Sequence, residues 1–267
     1  MKLEGSKILL TGASSGIGAA LAPILAERGA TVGIAARRAN RLEEVLERCK
    51  QHSPDSRMWS VDLSDLDAAV KLGLDAWDAF GGLDAVIHNA AIPKRVHTSR
   101  MTYDDIDETM NINFASPVRM TMALLPKMLE RKSGTIVWVS SMGGRIPIAN
   151  ESAYNAAKYA MCGFAECLYI DLAGSGVDMK LILPGPIDTE IWSIPGNEPA
   201  LHDIPKVPAA ECAAGIADAM VDDGFEYYVP PIYPGGIGAK DLALGKVQDC
   251  DNYLKGFADM ARAARGD

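Results

Sequence analysis

Lys7-Ile8-Leu9-Leu10-Thr11-Gly12-Ala13-Ser14-Ser15-Gly16-Ile17-Gly18, near the start of the chain, is an apolar run followed directly by a glycine-rich turn. The apolar run predicts a buried strand, and a helix is predicted to begin near Gly16 and Ile17. Glycines at this junction let the backbone approach a pyrophosphate group that lies at the positive end of the helix dipole. A tight turn from strand to helix also needs glycine for its own sake, and that interpretation stays open for the segment taken alone.

Beyond this turn, short apolar runs rich in β-branched residues alternate with longer segments of helical period. This alternation is typical of repeated β-α units, and it predicts a single α/β domain with a doubly wound, parallel, seven-stranded sheet, a Rossmann fold. The predicted strands are 7–10, 31–35, 58–61, 85–88, 135–140, 179–183 and 226–229. The predicted helices are about 17–28, 40–50, 64–80, 103–131, 152–173 and 208–222. We expect a dinucleotide-binding catalytic domain over residues 1–230, with a substrate loop at 184–207. An extension over 231–267 is expected to pack on the same domain or on a neighbouring subunit.

Composition excludes several kinds of partner. The chain has 267 residues, 48% of them hydrophobic, and a net charge of −9, which argues against nucleic-acid binding because phosphate contacts need clustered Lys and Arg. No signal-peptide pattern opens the chain, and no apolar run approaches the roughly 20 residues that span a bilayer. We therefore expect a cytoplasmic protein without stable membrane insertion. The five cysteines lack paired spacing and the four histidines do not cluster with them, so no metal site is predicted.

The ends of strands two to four carry the next candidate ligand contacts. Strand two ends in Ala35-Ala36-Arg37-Arg38, where an acidic residue would bind an adenosine ribose but two arginines offer cations to a 2′-phosphate. The pattern favours NADP(H), with NAD(H) as the alternative cofactor, although a doubled arginine also suits the solvated start of a helix. Strand three ends at Asp62 and Leu63, where the carboxylate can accept the adenine amino group. Strand four ends in Asn89-Ala90-Ala91, whose small residues allow a cofactor ribose to lie close. At the ends of both strand three and strand four, a turn or a helix cap would explain the same residues equally well.

Together these residues and several downstream motifs resemble the single-domain branch of the short-chain dehydrogenases/reductases. The resemblance covers about residues 5–230, and Ser141 precedes Tyr154 by 13 positions, as in the family pattern. Ala91 departs from the glycine that the family usually has, which crowds the strand-four turn without touching the reacting groups. The motifs that carry the resemblance, in the order of the family, are Thr11-Gly12 with Gly16 and Gly18, Asn89-Ala90-Ala91, Asn113, Ser141, Tyr154 with Lys158, and Pro184-Gly185-Pro186-Ile187-Asp188-Thr189.

The resemblance implies roles for four catalytic residues. Tyr154 is the acid and base, Lys158 lowers its pKa and holds the nicotinamide ribose, Ser141 hydrogen-bonds the substrate oxygen, and Asn113 anchors a water that leads protons to Lys158. Because positions i and i+4 share one helix face, Tyr154 and Lys158 can reach one site. An amphipathic helix with a solvated lysine would give the same spacing. A tyrosine needs its pKa lowered from about 10 to about 7 or 8 for this work, which a nearby ammonium and a positive nicotinamide ring would supply.

The residues expected to contact the cofactor come from every motif above. Thr189 is expected at the nicotinamide carboxamide or the diphosphate, although a Pro-Gly run is a turn signal in any protein. The full set is Gly12, Ser14, Ser15, Gly16, Ile17, Gly18, Arg37, Arg38, Asp62, Leu63, Asn89, Ala90, Tyr154, Lys158, Pro184, Gly185, Ile187 and Thr189.

The resemblance implies hydride transfer between nicotinamide and a carbonyl or secondary alcohol. A non-catalytic dinucleotide-binding sensor or regulatory protein on the same fold is the alternative. An epimerase or dehydratase is a third, although those relatives have a different glycine spacing and a larger C-terminal domain than this chain has room for. We expect a homodimer or homotetramer, formed through apolar and small residues on helices 103–131 and 152–173 (Met120, Met122, Ala123, Leu124, Ala160, Met161, Phe164 and Ala165).

The loops around the site predict an apolar small-molecule substrate, because they supply Met142, Ile146, Ile148, Ile191, Trp192 and Ile194. Four basic residues lie in the same loops, namely Lys94, Arg95, His97 and Arg145. These are interpreted as solvated surface, with recognition of an acidic substrate group as the alternative.

Overall fold

The computed structural model describes residues 1–201 and 204–266, and its centre is a parallel sheet of seven strands in the order β3-β2-β1-β4-β5-β6-β9. The seven strands are β1 (Lys7–Thr11), β2 (Thr31–Ala36), β3 (Arg57–Ser60), β4 (Ala85–His88), β5 (Gly134–Val139), β6 (Val177–Pro184) and β9 (Glu226–Val229). Strand order reverses between β1 and β4, which makes the crevice at their carboxyl ends the expected ligand site. The predicted doubly wound α/β fold, in a single domain, is confirmed.

Six helices cover the two faces of the sheet. On one face lie α1 (Gly16–Glu27), α2 (Ala39–Lys50) and α7 (Ala209–Val221), and on the other lie α3 (Leu66–Phe80), α5 (Ser116–Arg131) and α6 (Ser152–Asp171). The strands between them are buried on both sides, which explains why β1, β4, β5 and β6 are nearly continuous apolar runs. The crossover helices direct every strand the same way, so the loops after the strands meet at one edge of the sheet.

The segment predicted as one helix over 103–131 is divided. The structure has α4 (Tyr103–Met110), a π-helical turn over Asn111–Ala115, and then α5. In the wide turn the N–H of Ser116 donates to the carbonyl of Asn111, five residues back. One extra residue is accommodated there, and such turns are frequent at functional sites. Residues 103–116 contain no glycine or proline, so no helix-breaking residue in the sequence marks this division.

The substrate loop and the C-terminal extension have short elements of their own. In the described part of the loop, β7 (Ile187–Asp188) pairs with β8 (Val207–Pro208), and the 3-10 turn Glu190–Trp192 lies between them. The extension consists of the hairpin β10 (Ile232–Tyr233) and β11 (Ile237–Gly238), followed by α8 (Ala239–Gln248) and α9 (Cys250–Arg265). Its apolar side chains, including Tyr233 and Tyr253, form a third cluster with Met142 and Ile146. The extension thus packs on the segment directly after Ser141.

The residues expected to mediate oligomerisation divide into two groups. Met120, Leu124, Met161 and Ala165 belong to the core of this chain, so the apolar excess on their helices is largely explained by packing on the sheet. Met122, by contrast, is 51% exposed. Among the described residues, no helix has the length and apolar character needed to cross a membrane.

Candidate active site

The glycine-rich turn is joined to the end of β4 by a compact set of hydrogen bonds. Thr11 Oγ1 accepts from the N–H groups of Asn89 and Ala90 at 3.1 and 3.2 Å. The side-chain amide of Asn89 donates to the carbonyls of Thr11 and Gly12 at 3.0 and 3.3 Å. Gly12 has φ +71°, and a Cβ there would lie 2.6 Å from the Cα of Ala90. Only glycine therefore allows the turn to approach β4 so closely.

The beginning of α1 fits a bound pyrophosphate. Gly16 has φ +53°, and a Cβ on it would lie 3.0 Å from Cγ2 of Thr189, so the substrate loop lies directly over the turn. Ser15 occupies the N-cap position but its hydroxyl makes no cap hydrogen bond. The first turn of α1 contains no acidic side chain either. Its backbone N–H groups thus keep their capacity for an anion.

Arg38 lies at the edge of this cradle. Its guanidinium donates to Ser14 Oγ at 3.2 and 3.3 Å, to Ser15 Oγ at 2.7 Å and to Glu190 at 2.9 Å. Arg41 forms a second ion pair with Glu190. The two hydroxyls and the cation, predicted separately as cofactor contacts, are brought together. Glu190 was missed by the sequence reasoning, and its only signal is an acidic residue immediately after Thr189.

The ends of β2 and β3 hold the remaining adenosine candidates. Arg37 is exposed, and Asp62 Oδ1 accepts a hydrogen bond of 2.9 Å from the N–H of Ser64. That hydrogen bond lowers the pKa of Asp62, and the charge of Arg37 lowers it further. Leu63 is buried. Asp62 is thus ionised and lies at the edge of the crevice. An ionised carboxylate is a suitable acceptor for the adenine amino group.

Tyr154, Lys158 and Ser141 meet where β5 ends and α6 begins. Lys158 is 2% exposed, donates from Nζ to the carbonyl of Val139 at 3.0 Å, and has its Nζ 5.6 Å from the ring centroid of Tyr154. Ser141 Oγ accepts from the N–H of Gly143 at 3.0 Å. Burial of Lys158 shows that the alternative of a solvated lysine on an amphipathic helix does not hold.

The electrostatic setting of Tyr154 differs from the expected one. Burial raises the pKa of Tyr154, the nearby charge of Glu151 raises it further, and Ser141 and Arg95 oppose the shift. Burial also lowers the pKa of Lys158 to about 8. The sequence predicted a lowered pKa for Tyr154, but the protein's own side chains favour the phenol. The neutral, proton-carrying form is the one needed to protonate a substrate oxygen.

Asn113 lies in the π-helical turn and is 1% exposed. Both atoms of its amide bond to Ile92, with Oδ1 accepting from the N–H at 2.8 Å and Nδ2 donating to the carbonyl at 2.9 Å. The side chain therefore fixes the segment after Asn89-Ala90-Ala91. That Asn113 anchors a water chain to Lys158 stays a prediction.

Arg95 is not solvated surface, which corrects the interpretation made from sequence. It is 3% exposed and donates to the carbonyls of Ile191, Trp192 and Glu198 at 2.9, 2.9 and 3.2 Å. Its Nη1 lies 3.8 Å from a carboxylate oxygen of Glu151, which is also buried. Arg95 thus fixes the substrate loop to the segment after β4. The carbonyls that it binds are 96 to 103 positions away, so no local pattern could reveal them.

The other basic candidates are also engaged. Lys94 pairs with Asp105 at 2.5 Å, and Arg145 pairs with Glu166 and Glu226. His97 Nδ1 lies 2.9 Å from the hydroxyl of Ser99. Burial alone disfavours the charged form of Arg145, but its partners raise its pKa overall. None of these side chains presents an uncompensated cation to an acidic substrate.

The apolar side chains expected around the substrate differ in their burial. Met142 and Ile146 are buried under the C-terminal extension, whereas Ile148 and Ile194 are each 37% exposed. The indole of Trp192 donates to the carbonyl of Ile187 at 2.7 Å. Arg95 Cζ and Lys206 Nζ both lie over its ring, at 5.2 and 5.3 Å from the ring centroid. Within residues 1–201 and 204–266, His, Cys, Asp and Glu form no group of three or more that could hold a metal ion.

The strand order and the glycine-rich turn at the switch point define the class of dinucleotide-binding α/β proteins. A family model described as short chain dehydrogenase matches residues 6–197. The chain belongs to the short-chain dehydrogenase/reductase family, a family of NAD(P)-dependent oxidoreductases.

Individual relatives extend this comparison. The rat dehydrogenase/reductase SDR family member 7B is 34% identical over 195 residues, which cover 71% of this chain and 60% of the rat protein. A short-chain dehydrogenase from Streptomyces avermitilis superposes with a TM-score of 0.79 at 26% identity, over 97% of this chain and 98% of its own. A short chain dehydrogenase from Burkholderia cenocepacia, solved in complex with NADP, also superposes with a TM-score of 0.79, over 96% of this chain and 99% of its own. Its identity is 24%, so that likeness bears on the fold alone.

Proposed function

We propose that this protein is an NADP(H)-preferring oxidoreductase that interconverts a carbonyl and a secondary alcohol, with Tyr154 as acid and base. The observation that carries the proposal is the pairing of Tyr154 with Lys158, whose buried Nζ lies 5.6 Å from the phenol ring centroid beside Ser141. A protein that only senses a dinucleotide has no need for a buried lysine next to a proton donor. We therefore prefer the catalytic function.

The chain's own residues account for the proton chemistry. When bound, the dinucleotide supplies a hydride to the carbonyl carbon in reduction and accepts one in oxidation. In reduction, the Tyr154 hydroxyl gives its proton to the carbonyl oxygen, which completes the alcohol and leaves a phenolate. Lys158 stabilises that phenolate until a proton from water restores the phenol. Because Ser141 Oγ accepts from the N–H of Gly143, its own proton is left to donate to the substrate oxygen.

The preference for NADP(H) rests on the cations at the end of β2. Arg38 already donates to Ser14 and Ser15 in the glycine-rich turn, and Arg37 is exposed beside it. Guanidinium groups and hydroxyls are suitable partners for a 2′-phosphate. The fold relative from Burkholderia cenocepacia binds NADP, which agrees with this choice.

A neutral and largely apolar substrate fits the rest of the site. Lys94 and Arg145 are paired with carboxylates, and Arg95 is taken up by Glu151 and by backbone carbonyls. An acidic substrate would have to break one of these interactions before it could be neutralised. We therefore favour a ketone, an aldehyde or a secondary alcohol without a negative charge.

The test compares NADPH and NADH binding by fluorescence and thermal shift, and then follows absorbance at 340 nm with ketones, aldehydes and alcohols. We expect tighter binding of NADPH, and turnover that Tyr154→Phe abolishes while cofactor binding is kept. Tyr103→Phe is the matched control, because Tyr103 is 87% exposed. Near wild-type rates in Tyr154→Phe would refute the acid and base role. Tight binding without turnover on any compound would favour the sensor.

Assembly into a homodimer or homotetramer is part of the proposal. Its support is the exposure of Met122 on α5 and Ile170 on α6, at 51% and 71%. Light scattering at micromolar concentration should give a mass of two or four chains, and a monomeric mass would contradict it.

A further inference from the structure

The hydroxyl of Tyr233 is buried and has no hydrogen-bond partner among the described residues. Its ring lies against the backbone of Gly185, where a Cβ would overlap the ring and lie 2.9 Å from the hydroxyl oxygen. Tyr233 belongs to the cluster that also contains Met142. An unpartnered buried hydroxyl carries a desolvation cost that a phenylalanine at the same place would not. Packing alone therefore does not account for tyrosine at this position.

The position of Tyr233 relates it to the substrate end of the crevice. Gly185 follows β6 directly, and Met142 follows Ser141. The ring of Tyr233 thus touches the segment after β6 and packs against the cluster that contains Met142, and it comes from the extension rather than from either segment. Burial raises the pKa of Tyr233, so its hydroxyl keeps its proton and acts as a neutral donor.

We infer that Tyr233 is a specificity-determining residue whose hydroxyl donates a hydrogen bond to a second, uncharged oxygen of the substrate, remote from the reacting carbonyl. This inference rests on the proposed function. The substrate class is a ketone, or the corresponding alcohol, that carries an additional hydroxyl or carbonyl group. A site built to hydrogen-bond such an oxygen discriminates against the analogue that lacks it, because the buried donor then stays unpaired.

A second tyrosine provides the matched control. Tyr253 also has a buried hydroxyl without a partner among the described residues, and it belongs to the same cluster. Its ring stacks on Phe257 at 4.7 Å between centroids and lies 3.6 Å from the position of a Cβ on Gly245. These neighbours belong to α8 and α9, not to the segments after β5 and β6. Tyr253→Phe therefore removes the same group from the same cluster without touching Gly185.

The experiment measures kcat and KM with NADPH for a ketone and a series of analogues with one added hydroxyl at successive carbons. For at least one hydroxylated analogue we expect wild-type kcat/KM to exceed that of the plain ketone. Tyr233→Phe should remove about five- to tenfold of that advantage through KM, with kcat on the plain ketone unchanged. Tyr253→Phe should keep the wild-type ratio. Thermal stability of Tyr233→Phe should equal or exceed that of the wild type, since no intramolecular hydrogen bond is lost.

The outcomes separate the two proposals. One outcome is turnover of ketones in which Tyr233→Phe leaves every ratio of kcat/KM between hydroxylated and plain ketone unchanged, for example by lowering both values equally. That result would overturn the role of Tyr233 and leave the reductase function standing. No wild-type turnover of any ketone with NADPH would overturn the proposed function, and this inference with it.

Discussion

Glu190 and Arg38 form an ion pair of 2.9 Å that joins the substrate loop to the beginning of α2, across the glycine-rich turn. Arg41 binds the same carboxylate. Both arginine hydrogen bonds lower the pKa of Glu190, so it is an anion at neutral pH. A negative charge thus pairs with Arg38, one of the two cations proposed to bind the 2′-phosphate of NADP(H).

Glu190→Gln should tighten NADPH binding, because the phosphate no longer competes with a carboxylate for Arg38. The pair is exposed, so its strength is about 0.2–1 kcal/mol and the dissociation constant should fall by up to about fivefold. Binding of NADH should stay the same. Titration by fluorescence at low salt measures both, with Glu27→Gln, an exposed acid at the other end of α1, as the charge-matched control. Weaker NADPH binding in Glu190→Gln would mean that the carboxylate orients Arg38 instead of competing for it.

Arg95→Gln should free the substrate loop. It removes three donors to the carbonyls of Ile191, Trp192 and Glu198 and leaves Glu151 without its buried counter-charge. At pH 8, above the pKa of about 7 of Glu151, loss of such a buried cation costs about 3–5 kcal/mol of unfolding free energy. We expect lower stability in urea, faster proteolysis within 184–207 and a raised KM.

Arg100→Gln is the comparison for that variant. Arg100 binds Glu198 in the same loop, but its side chain is 61% exposed, so its removal should cost at most about 1 kcal/mol. Equal stabilities for Arg95→Gln and Arg100→Gln would contradict the anchoring role of Arg95.

Glu151→Gln tests the buried carboxyl beside Tyr154. Burial raises the pKa of Glu151 from 4.5 to about 7, against the opposing effect of Arg95. The folded protein therefore binds more protons than the unfolded chain between these values, and this stabilisation is lost as pH rises from about 4.5 through 7. The stability of Glu151→Gln relative to wild type should rise over that window, by at most about 3 kcal/mol.

Denaturation in urea at pH 5, 6, 7 and 8 measures that difference, and Glu44→Gln on the exposed face of α2 should show no such slope. The charge on Glu151 also raises the pKa of Tyr154. The alkaline limb of the pH–rate profile should accordingly move to lower pH in Glu151→Gln. A flat stability difference across the window would show that Glu151 is ionised throughout.

Gly12→Ala should be much more disruptive than Gly81→Ala. Both glycines have positive φ, +71° and +66°, so each alanine carries backbone strain of about 1–2 kcal/mol. Only Gly12 adds a collision, with Ala90 2.6 Å from the new Cβ, whereas the space around Gly81 is open. Melting temperature and NADPH affinity should both fall further in Gly12→Ala. Similar losses in the two variants would indicate that strain alone, and not the contact with β4, requires glycine there.

The sheet was predictable because its central strands, β1, β2, β4, β5 and β6, are buried on both faces and each crossover helix is long enough to show its period. The junction of Gly12 with β4 was predictable because parallel strand ends share one edge of the sheet. The pairing of Tyr154 with Lys158 was predictable because positions i and i+4 share one face of a helix. The π-helical turn at Asn113 was not, because no glycine or proline within residues 103–116 marks a break in the helix. The sign of the pKa shift of Tyr154 was also out of reach, because burial outweighs the charges that the sequence displays.

Arg95 and Glu190 show a further limit. Arg95 was placed on the surface because a charged residue in a loop usually lies there. Its acceptors are main-chain carbonyls, which every sequence has at every position. The residue types at 191, 192 and 198 therefore do not indicate that Arg95 binds there. Glu190 could be noticed next to Thr189, but its partners at 38 and 41 become neighbours only once the loop folds over the turn.

The attachment of the substrate loop through its main chain has an evolutionary consequence. Arg95 donates to carbonyl oxygens at Ile191, Trp192 and Glu198, so these three hydrogen bonds do not depend on which side chains stand there. Selection can exchange them for others without detaching the loop from the scaffold. Replacing the substrate loop with loops of equal length from relatives, while Arg95 is kept, is accordingly a direct route to folded enzymes that accept new substrates.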